Sequence, residues 1–316
     1  MAARLKIGTR GSPLALAQAS ELAARLTAED PSLADAGAIE TVVIRTTGDM
    51  VRDRPLSEIG GKGLFTRELD EALLDRRIDV AVHSMKDVPT WLPDGLHIPC
   101  LLPREDPRDA IFGNGLRHIA DLPQGAVVGT AALRRQAQLL ARRPDLKVVP
   151  LRGNVGTRLR KLAEGEVDAT LLAVAGLRRL GEAGRITAIL EPDEMLPAVA
   201  QGAIGVACRI GDEAVESVLA ALHCAATGVR VTAERALLAA LDGSCRTPIA
   251  ALASLDGGDT VTLEALVALP DGSGVHQIRR SGGAGEAAAL GDKTGRALKS
   301  RAGPEFLSWQ NRNAPP

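Results

Sequence analysis

Short apolar segments alternate with helical segments through the first two thirds of the chain, and this alternation most restricts the possible folds. Residues 5–8 form a strand candidate, and Ser12 followed by Pro13 is a typical helix start, because serine caps free N–H groups and proline fits the first turn. The chain then continues as an Ala- and Leu-rich helix over residues 14–26. Such alternation predicts an α/β fold.

A similar unit recurs in the middle of the chain. Val128-Gly129-Thr130 resembles Ile7-Gly8-Thr9, and Thr130 is a candidate cap for a helix over residues 133–141. Further strands and helices are predicted at residues 39–47, 79–83, 147–151, 155–163 and 168–174. We therefore expect two α/β lobes.

After about residue 225 the pattern changes to one helix, over residues 231–241, followed by short apolar runs. Asp-Gly turns at Asp256 and Asp271 separate these runs, which is typical of antiparallel hairpins. This part is predicted to be a smaller α+β domain, and residues 301–316 are expected to form a frayed tail.

Composition excludes several classes of protein. The 316 residues include 45% hydrophobic and 24% charged residues, an ordinary globular mixture, and no apolar run approaches the ~20 residues that span a bilayer. A formal charge of -1 and 2% aromatic residues argue against a nucleic-acid partner. Four Cys and five His form no ligand-spaced cluster, so we expect no metal site. With no apolar N-terminal signal, we expect a cytoplasmic protein without a membrane partner.

The arginines follow a pattern. Only seven of the 38 basic residues are Lys, and several Arg stand just after a predicted strand or in the next helix: Arg10, Arg134, Arg135, Arg152 and Arg158. Ligands of α/β sheets gather at the carboxyl ends of strands, and an arginine in a first helical turn opposes the helix dipole unless an anion compensates. This placement favours an anion site. A GC-rich genome and a solvated surface remain alternative explanations for each residue.

Two further features suggest chemistry. Asp87, beside Lys86 at the end of a strand, is a candidate carboxylate for stabilising a cation or moving a proton, although such pairs are usually solvated. Cys245 lies in a Gly/Ser turn beside Arg246, where a thiolate is accessible and electrostatically favoured. An idle loop thiol is an equal alternative, and no histidine partner for a protease-like dyad is identifiable.

Together these motifs resemble the porphobilinogen deaminase (hydroxymethylbilane synthase) family. The similarity extends from Ile7 to about Gly274, and its carriers are GTRGSPLA from Gly8, GGKGLF from Gly60, HSMKDVP from His83, REDPRD from Arg104, LRRQ from Leu133, LRGNVGTR from Leu151, LPAVAQG from Leu196 and GSC from Gly243.

The resemblance implies two periplasmic-binding-protein-like lobes with the active cleft between them and a small C-terminal α+β domain. The expected divisions are residues 1–102 with 203–220 for lobe 1, 103–202 for lobe 2, 225–300 for the C-terminal domain and 301–316 for the tail. A monomer is expected.

The resemblance also implies the reaction. Members of the family condense four porphobilinogen molecules head to tail, release ammonia at each step and give 1-hydroxymethylbilane for haem and related pigments. One dipyrromethane cofactor is attached by a thioether to the residue that corresponds to Cys245, and Asp87 matches the catalytic aspartate. Cofactor contacts are expected from Ser84, Lys86, Arg134 and Arg135. Substrate contacts are expected from Arg10, Ser12, Lys62, Phe65, Thr130, Arg152, Arg158, Arg179 and Gln201, with residues 48–63 as a mobile lid.

The chain departs from the family pattern at two places. Ala131 and Ala132 stand where Ser-Ser is common, which removes two hydroxyls from a carboxylate subsite, and Ser244 and Arg246 flank the cysteine where Gly and Gln are frequent. The rival interpretation is a two-lobed anion-binding sensor or solute-binding protein, which needs neither Asp87 nor a modifiable Cys245.

Overall fold

The computed structural model describes residues 5–50, 63–243, 247–257 and 259–313. The chain divides into two compact units, Met1–Arg104 with Ala203–Gly228 and Glu105–Gly202 with Val229–Ala314. Each unit contains a five-stranded mixed sheet flanked by helices, and the second also contains a three-stranded antiparallel sheet.

The sheet of the first unit has the order β2-β1-β3-β10-β4. Its strands are β1 (Leu5–Arg10), β2 (Ile39–Ile44), β3 (Val80–Ser84), β4 (Leu96–Leu101) and β10 (Ile204–Arg209). The strands β1, β2 and β3 are parallel, whereas β10 is antiparallel to both β3 and β4. A segment that returns after residue 202 therefore completes this sheet between strands of the N-terminal part.

The described residues of the first unit include the helices α1 (Pro13–Glu29), α2 (Thr47–Met50), α3 (Arg67–Leu74) and α7 (Glu213–Leu222). The predicted start of α1 is confirmed, since the Ser12 side chain accepts a hydrogen bond from the Ala15 N–H and Pro13 is the first helical residue. Leu22 and Leu26 on α1 are fully buried against the sheet, together with Ile7. Burial of each such side chain contributes about 1.5–3 kcal/mol.

The larger sheet of the second unit has the order β7-β6-β8-β5-β9. Its strands are β5 (Asp109–Gly113), β6 (Val127–Gly129), β7 (Lys147–Val149), β8 (Ala169–Ala173) and β9 (Ala188–Leu190), and its helices are α4 (Leu133–Arg142), α5 (Val155–Ala163) and α6 (Val174–Arg179). As in the first unit, three parallel strands are followed by one antiparallel to its neighbours. The predicted repeat is confirmed, because β1 and β6 take the same position in their sheets.

Thr130 is not the cap of α4. The cap position belongs to Ala132, whose side chain cannot accept a hydrogen bond, because two more residues separate the strand from the helix. The Thr130 hydroxyl oxygen instead accepts a hydrogen bond from the Ala132 N–H at 3.2 Å. It therefore satisfies one free N–H group just before the helix.

The small C-terminal sheet has the order β11-β12-β13, all antiparallel, as the Asp-Gly turns predict. Its elements are β11 (Ile249–Leu255), β12 (Thr260–Val267) and β13 (His276–Gly283), with α8 (Ala225–Ala240) before them and α9 (Ala287–Asn313) after them. The buried Glu234 of α8 accepts hydrogen bonds from the backbone N–H groups of Ala200 and Ala253. This carboxylate ties α8 to β11 and to the loop before β10.

The frayed tail predicted from residue 301 is helical up to Asn313. The helix α9 is bent at Gly303, where φ is 69°, just before Pro304. Ala302 and Phe306 remain buried on either side of the bend, so apolar packing keeps the last turns in place.

No single helix among the described residues is long and apolar enough to cross a membrane. One pair of helices, Glu213–Leu222 and Ala225–Ala240, has the necessary length and composition when taken together, but the two are bent by 101°.

Candidate active site

The Asp87 carboxylate lies on a short turn that follows a buried strand. The turn Met85–Asp87 comes directly after β3 and is a single 3-10 turn. It is fixed at its base, because the Met85 N–H donates to the Ala203 carbonyl oxygen at 3.0 Å and the Met85 side chain is 3% exposed. A Cβ on Gly205 of β10 would lie 2.1 Å from the Met85 Sδ, so only glycine leaves room for this side chain. Lys86 and Asp87 follow as half-buried side chains.

A pocket at the carboxyl ends of β1 and β3 brings together six of the predicted site residues. They are Arg10, Ser12, Phe65, Ser84, Lys86 and Asp87. Leu14, Ala15, Gln18, Thr66, Val82 and His83 complete its lining. The pairing of β1 with β3 brings these residues to one pocket, and their roles in binding and catalysis stay predictions.

Arg10 is the central cation of this pocket. Its Nε donates to the Asp49 Oδ2 at 3.1 Å, and its Nη1 lies 3.9 Å from the Asp87 Oδ2. The guanidinium carbon lies 4.2 Å from the centre of the Phe65 ring, which is the geometry of a cation–π contact. The Arg10 side chain is 20% exposed, so it remains accessible to a ligand.

Asp49 is the ionised partner of Arg10. Burial alone would raise the pKa of Asp49, but hydrogen bonds from Arg10 and Thr46 outweigh it and lower the pKa below its usual value. Asp49 is thus an anion at neutral pH and fixes the guanidinium. The sequence analysis missed this residue, because it stands 39 positions from its partner.

Two polar residues of the pocket lining, Gln18 and His83, are not among the predicted site residues. Gln18 is 4% exposed, and its side-chain nitrogen donates to the Ser84 hydroxyl oxygen at 2.8 Å, which orients that hydroxyl. Burial and then the nearby Arg10 lower the pKa of His83 to about 4, so this ring is neutral at pH 7. The His83 Nε2 is buried without a hydrogen-bond partner among the described residues.

In the second unit, two arginines meet one fully buried carboxylate. The Asp109 Oδ2 lies 2.8 Å from the Arg134 Nη2, and its Oδ1 lies 2.8 Å from the Arg135 Nη2. The Gln201 side-chain nitrogen also donates to the Asp109 Oδ1 at 2.8 Å. Arg134 further donates to the Leu196 carbonyl oxygen and Arg135 to that of Leu171. Both arginines are at most 6% exposed.

Asp109 is an internal anion beside the first turn of α4, where the sequence pattern predicted the docking of a ligand anion. Burial would raise the pKa of Asp109, but the charges of Arg134 and Arg135 lower it strongly, so the group is ionised. One carboxylate faces two guanidinium groups, which leaves one positive charge in excess. The sequence analysis placed the arginines correctly in the helix but did not identify their internal partner.

Arg158 adds to this positive charge. Burial, followed by repulsion from Arg135 and Arg152, lowers the pKa of Arg158 to about 10, and its Nε donates to the Gly153 carbonyl oxygen at 2.9 Å. Crowded cations of this kind favour a bound anion. Arg179, at the end of α6, instead acts electrostatically on Glu105.

Lys62 and Cys245 lie outside the described residues, as do Ser244, Arg246 and residues 51–62 of the expected lid.

The donor set suits an acidic pyrrole compound. The pocket of the first unit offers the cations Arg10 and Lys86 for carboxylates and the Asp87 carboxylate as an acceptor for N–H groups. The second unit offers an excess of guanidinium charge at Arg135, Arg152 and Arg158. A dipyrromethane with acidic side chains carries both kinds of group, so the residues fit it.

Comparison with known proteins agrees with these features. The family model described as "Porphobilinogen deaminase, dipyromethane cofactor binding domain" matches residues 5–217, and "Porphobilinogen deaminase, C-terminal domain" matches residues 229–300. The porphobilinogen deaminase of Paracoccus denitrificans is 57% identical over 305 residues, with 96% of each chain covered. The chloroplastic porphobilinogen deaminase of Oryza sativa is 56% identical over 96% of this chain and 85% of its own length.

Among solved structures, a periplasmic substrate-binding protein of an ABC transporter from Coxiella burnetii is similar with a TM-score of 0.40 and 15% identity, over 70% of this chain and 92% of that chain. The predicted fold class is confirmed as an α/β protein with two lobes, each built on a five-stranded sheet, and a small C-terminal α+β domain. The predicted dipyrromethane cofactor is confirmed by the matching domain model. From the two domain matches and the identity to its relatives, we conclude that this chain belongs to the porphobilinogen deaminase family.

Proposed function

We propose that the residues of the two described sites carry out the head-to-tail condensation of four porphobilinogen molecules, with release of ammonia, to give 1-hydroxymethylbilane. The chain is a transferase of tetrapyrrole biosynthesis. The observation that supports this assignment of residues best is the grouping of Arg10, Ser84, Lys86 and Asp87 around one pocket. It combines cations for acidic side chains with one carboxylate for a ring that becomes positively charged.

Asp87 is the catalytic residue in this proposal. Each loss of ammonia leaves positive charge on a pyrrole ring, and the half-buried carboxylate of Asp87 stabilises that charge and accepts or returns the ring proton. Stabilisation by a single oriented group commonly contributes about 3 kcal/mol or more. The Arg10 Nη1 lies 3.9 Å from the Asp87 Oδ2 and orients this carboxylate, while Asp49 holds Arg10 in position.

Ser84 and Lys86 bind carboxylates of the cofactor. Gln18 orients the Ser84 hydroxyl, so this donor is held in place before the ligand arrives. Ser12, Phe65 and Lys62 contact substrate, Ser12 from the start of α1 and Phe65 from the lining of the same pocket.

The arginines of the second unit bind the remaining acidic side chains. Arg152 and Arg158 bind carboxylates directly, and bound anions relieve the repulsion that Arg158 experiences from its neighbours. Asp109 neutralises only one of the two positive charges of Arg134 and Arg135. The remaining charge binds the acidic side chains of the cofactor. Thr130, Arg179 and Gln201 complete the expected set of contacts.

Cys245 holds the dipyrromethane through a thioether, and the attached group supplies the free pyrrole α-carbon on which the product chain is built. The cytoplasmic location, the monomeric state and the absence of nucleic-acid and membrane partners stay predictions. The residue divisions predicted for the lobes and the C-terminal domain have the same standing.

Replacement of Asp87 by Asn tests this assignment. Asp87→Asn removes the charge but keeps the shape, so we expect turnover of porphobilinogen to fall at least 100-fold while the attached pigment still gives its colour with acidic dimethylaminobenzaldehyde. Asp94→Asn, at an exposed position of the same unit, is the matched control and should keep normal turnover. Normal turnover in Asp87→Asn removes Asp87 from the mechanism.

A further inference from the structure

Three potential metal ligands meet at a second place in the first unit, apart from the pocket described above. They are His97 of β4, Cys208 of β10 and Glu216 of α7, and their ligand atoms all lie within 4.8 Å of one another. The His97 Nε2 lies 3.3 Å from the Cys208 Sγ and 2.9 Å from the Glu216 Oε1. One imidazole nitrogen therefore faces both a sulfur and a carboxylate oxygen.

The sheet brings these residues together. His97 and Cys208 are direct partners across the antiparallel pair of β4 and β10, next to a register shift after Val206. Side chains of such partners lie on the same face of a sheet. Glu216 approaches from α7, and the Gly211 N–H donates to its Oε1 at 3.0 Å, which orients the carboxylate. The sequence analysis found no ligand spacing, because His97 and Cys208 are 111 positions apart.

The distances are close to those of a tetrahedral zinc site. Typical Zn–S, Zn–N and Zn–O bonds place neighbouring ligand atoms about 3.4–3.6 Å apart. The observed 3.3 Å and 2.9 Å separations need to widen by only a few tenths of an ångström. Cys208 is fully buried, so the adjustment falls to the partly exposed side chains of His97 and Glu216.

We propose that His97, Cys208 and Glu216 form a binding site for one Zn²⁺ ion, with water as the fourth ligand. The sulfur lies at the closed end, since Cys208 is fully buried, and His97 and Glu216 form the open end, with side chains 35% and 29% exposed. A thiolate, an imidazole and a carboxylate are all ligands that Zn²⁺ accepts, whereas Mg²⁺ and Ca²⁺ prefer oxygen alone.

The charges of the site balance. On binding, the S–H bond breaks, the sulfur keeps the electron pair for the Zn–S bond and the proton leaves to water. Thiolate and carboxylate then neutralise the ion. The adjacent Arg209 and Asp212 form an ion pair at 2.7 Å with each other.

The ion would join two distant parts of the chain. His97 belongs to the N-terminal part of the first unit, whereas Cys208 and Glu216 belong to the segment that returns to complete its sheet. A metal bridge between them fixes β10 and α7 against β4. Its role is therefore structural, and it is independent of the condensation reaction.

Metal titration of the full-length protein with its cofactor attached tests the site. Chelator-treated protein is titrated with Zn²⁺ against a chromophoric chelator, and separately with Co²⁺ as a spectroscopic probe. Cys208→Ala removes the proposed sulfur ligand, and Cys100→Ala is its matched control. Both cysteines are buried in the same core of the first unit. Glu216→Gln, at a partly exposed position, is the variant that should leave the fold intact.

We expect the wild type and Cys100→Ala to bind one Zn²⁺ per chain and to show a thiolate-to-cobalt charge-transfer band. Cys208→Ala should lose the band, whereas Glu216→Gln should keep it. Loss of a residue that only orients a metal ligand costs about 10- to 100-fold in affinity, so each of these ligand substitutions should weaken Zn²⁺ binding at least tenfold. The absence of stoichiometric Zn²⁺ binding by the wild type overturns the proposal. An unchanged Zn²⁺ affinity in Glu216→Gln also overturns the proposal, as does a spectrum of the Co²⁺-loaded wild type without the thiolate-to-cobalt band.

Discussion

Asp109 is expected to stabilise the second unit by neutralising charge that is buried with it. Its two oxygens lie 2.8 Å from the Arg134 Nη2 and the Arg135 Nη2, and the carboxylate is fully buried. At an effective dielectric constant of about 20, each ion pair at that distance contributes about 6 kcal/mol of Coulomb attraction. The cost of removing three charges from water offsets most of this attraction. Removal of one partner, however, leaves the others buried and uncompensated, which typically costs about 3–5 kcal/mol.

We therefore expect Asp109→Asn to lower the free energy of unfolding by about 3–5 kcal/mol, a large part of the ~5–15 kcal/mol of a typical protein. The amide keeps the shape of the carboxyl group and one acceptor oxygen, but its NH₂ group faces a donor, so the substitution removes the charge and one acceptor together. The assay is urea unfolding followed by circular dichroism, with the midpoint compared at unchanged m value.

Asp292→Asn is the matched control. Asp292 also pairs with an arginine at 2.8 Å, Arg296, but this pair lies on the exposed surface of α9, where water screens the charges. The control should leave the midpoint almost unchanged. If Asp109→Asn shifts the midpoint of urea unfolding no more than Asp292→Asn does, the buried ion pairs of Asp109 do not stabilise the fold.

Two other predictions concern single charges. Burial raises the pKa of Asp70 from 3.8 to about 6, so the ionised carboxylate destabilises the folded state above that pH. At pH 8, Asp70→Asn should therefore be more stable than the wild type by up to about 3 kcal/mol. The difference should shrink as the pH falls from 6 towards 4, and a difference independent of pH in urea unfolding would contradict the assignment. Arg158→Gln should lower kcat/KM for porphobilinogen about 10- to 100-fold through loss of a charged hydrogen bond, whereas Arg160→Gln, at an exposed position paired with Glu164, should not. Equal rates in these two variants would exclude Arg158 from substrate binding.

Local signals in the sequence predicted the elements that depend on neighbouring residues. Ser12 and Pro13 specify the start of α1, and the two Asp-Gly turns lie between strands that pair in antiparallel register. The repeated strand–helix unit placed β1 and β6 at matching positions in two sheets. These features follow from backbone preferences within a few residues.

Contacts between distant segments could not be predicted in the same way. The partners of Arg10 and Arg135 stand 39 and 26 positions away, and sheet pairing alone brings His97 beside Cys208. The tail is a further case, since Gly303 and Pro304 favour a break that apolar burial at Phe306 outweighs. Pairing and burial of this kind are properties of the folded chain.

The intact mass of the purified protein tests most directly that this chain is an enzyme that builds its product on a tethered primer. The predicted result is a mass above that of the 316-residue sequence by two linked pyrroles, and the sequence mass alone for Cys245→Ala. Active wild-type protein at the unmodified sequence mass would contradict the claim.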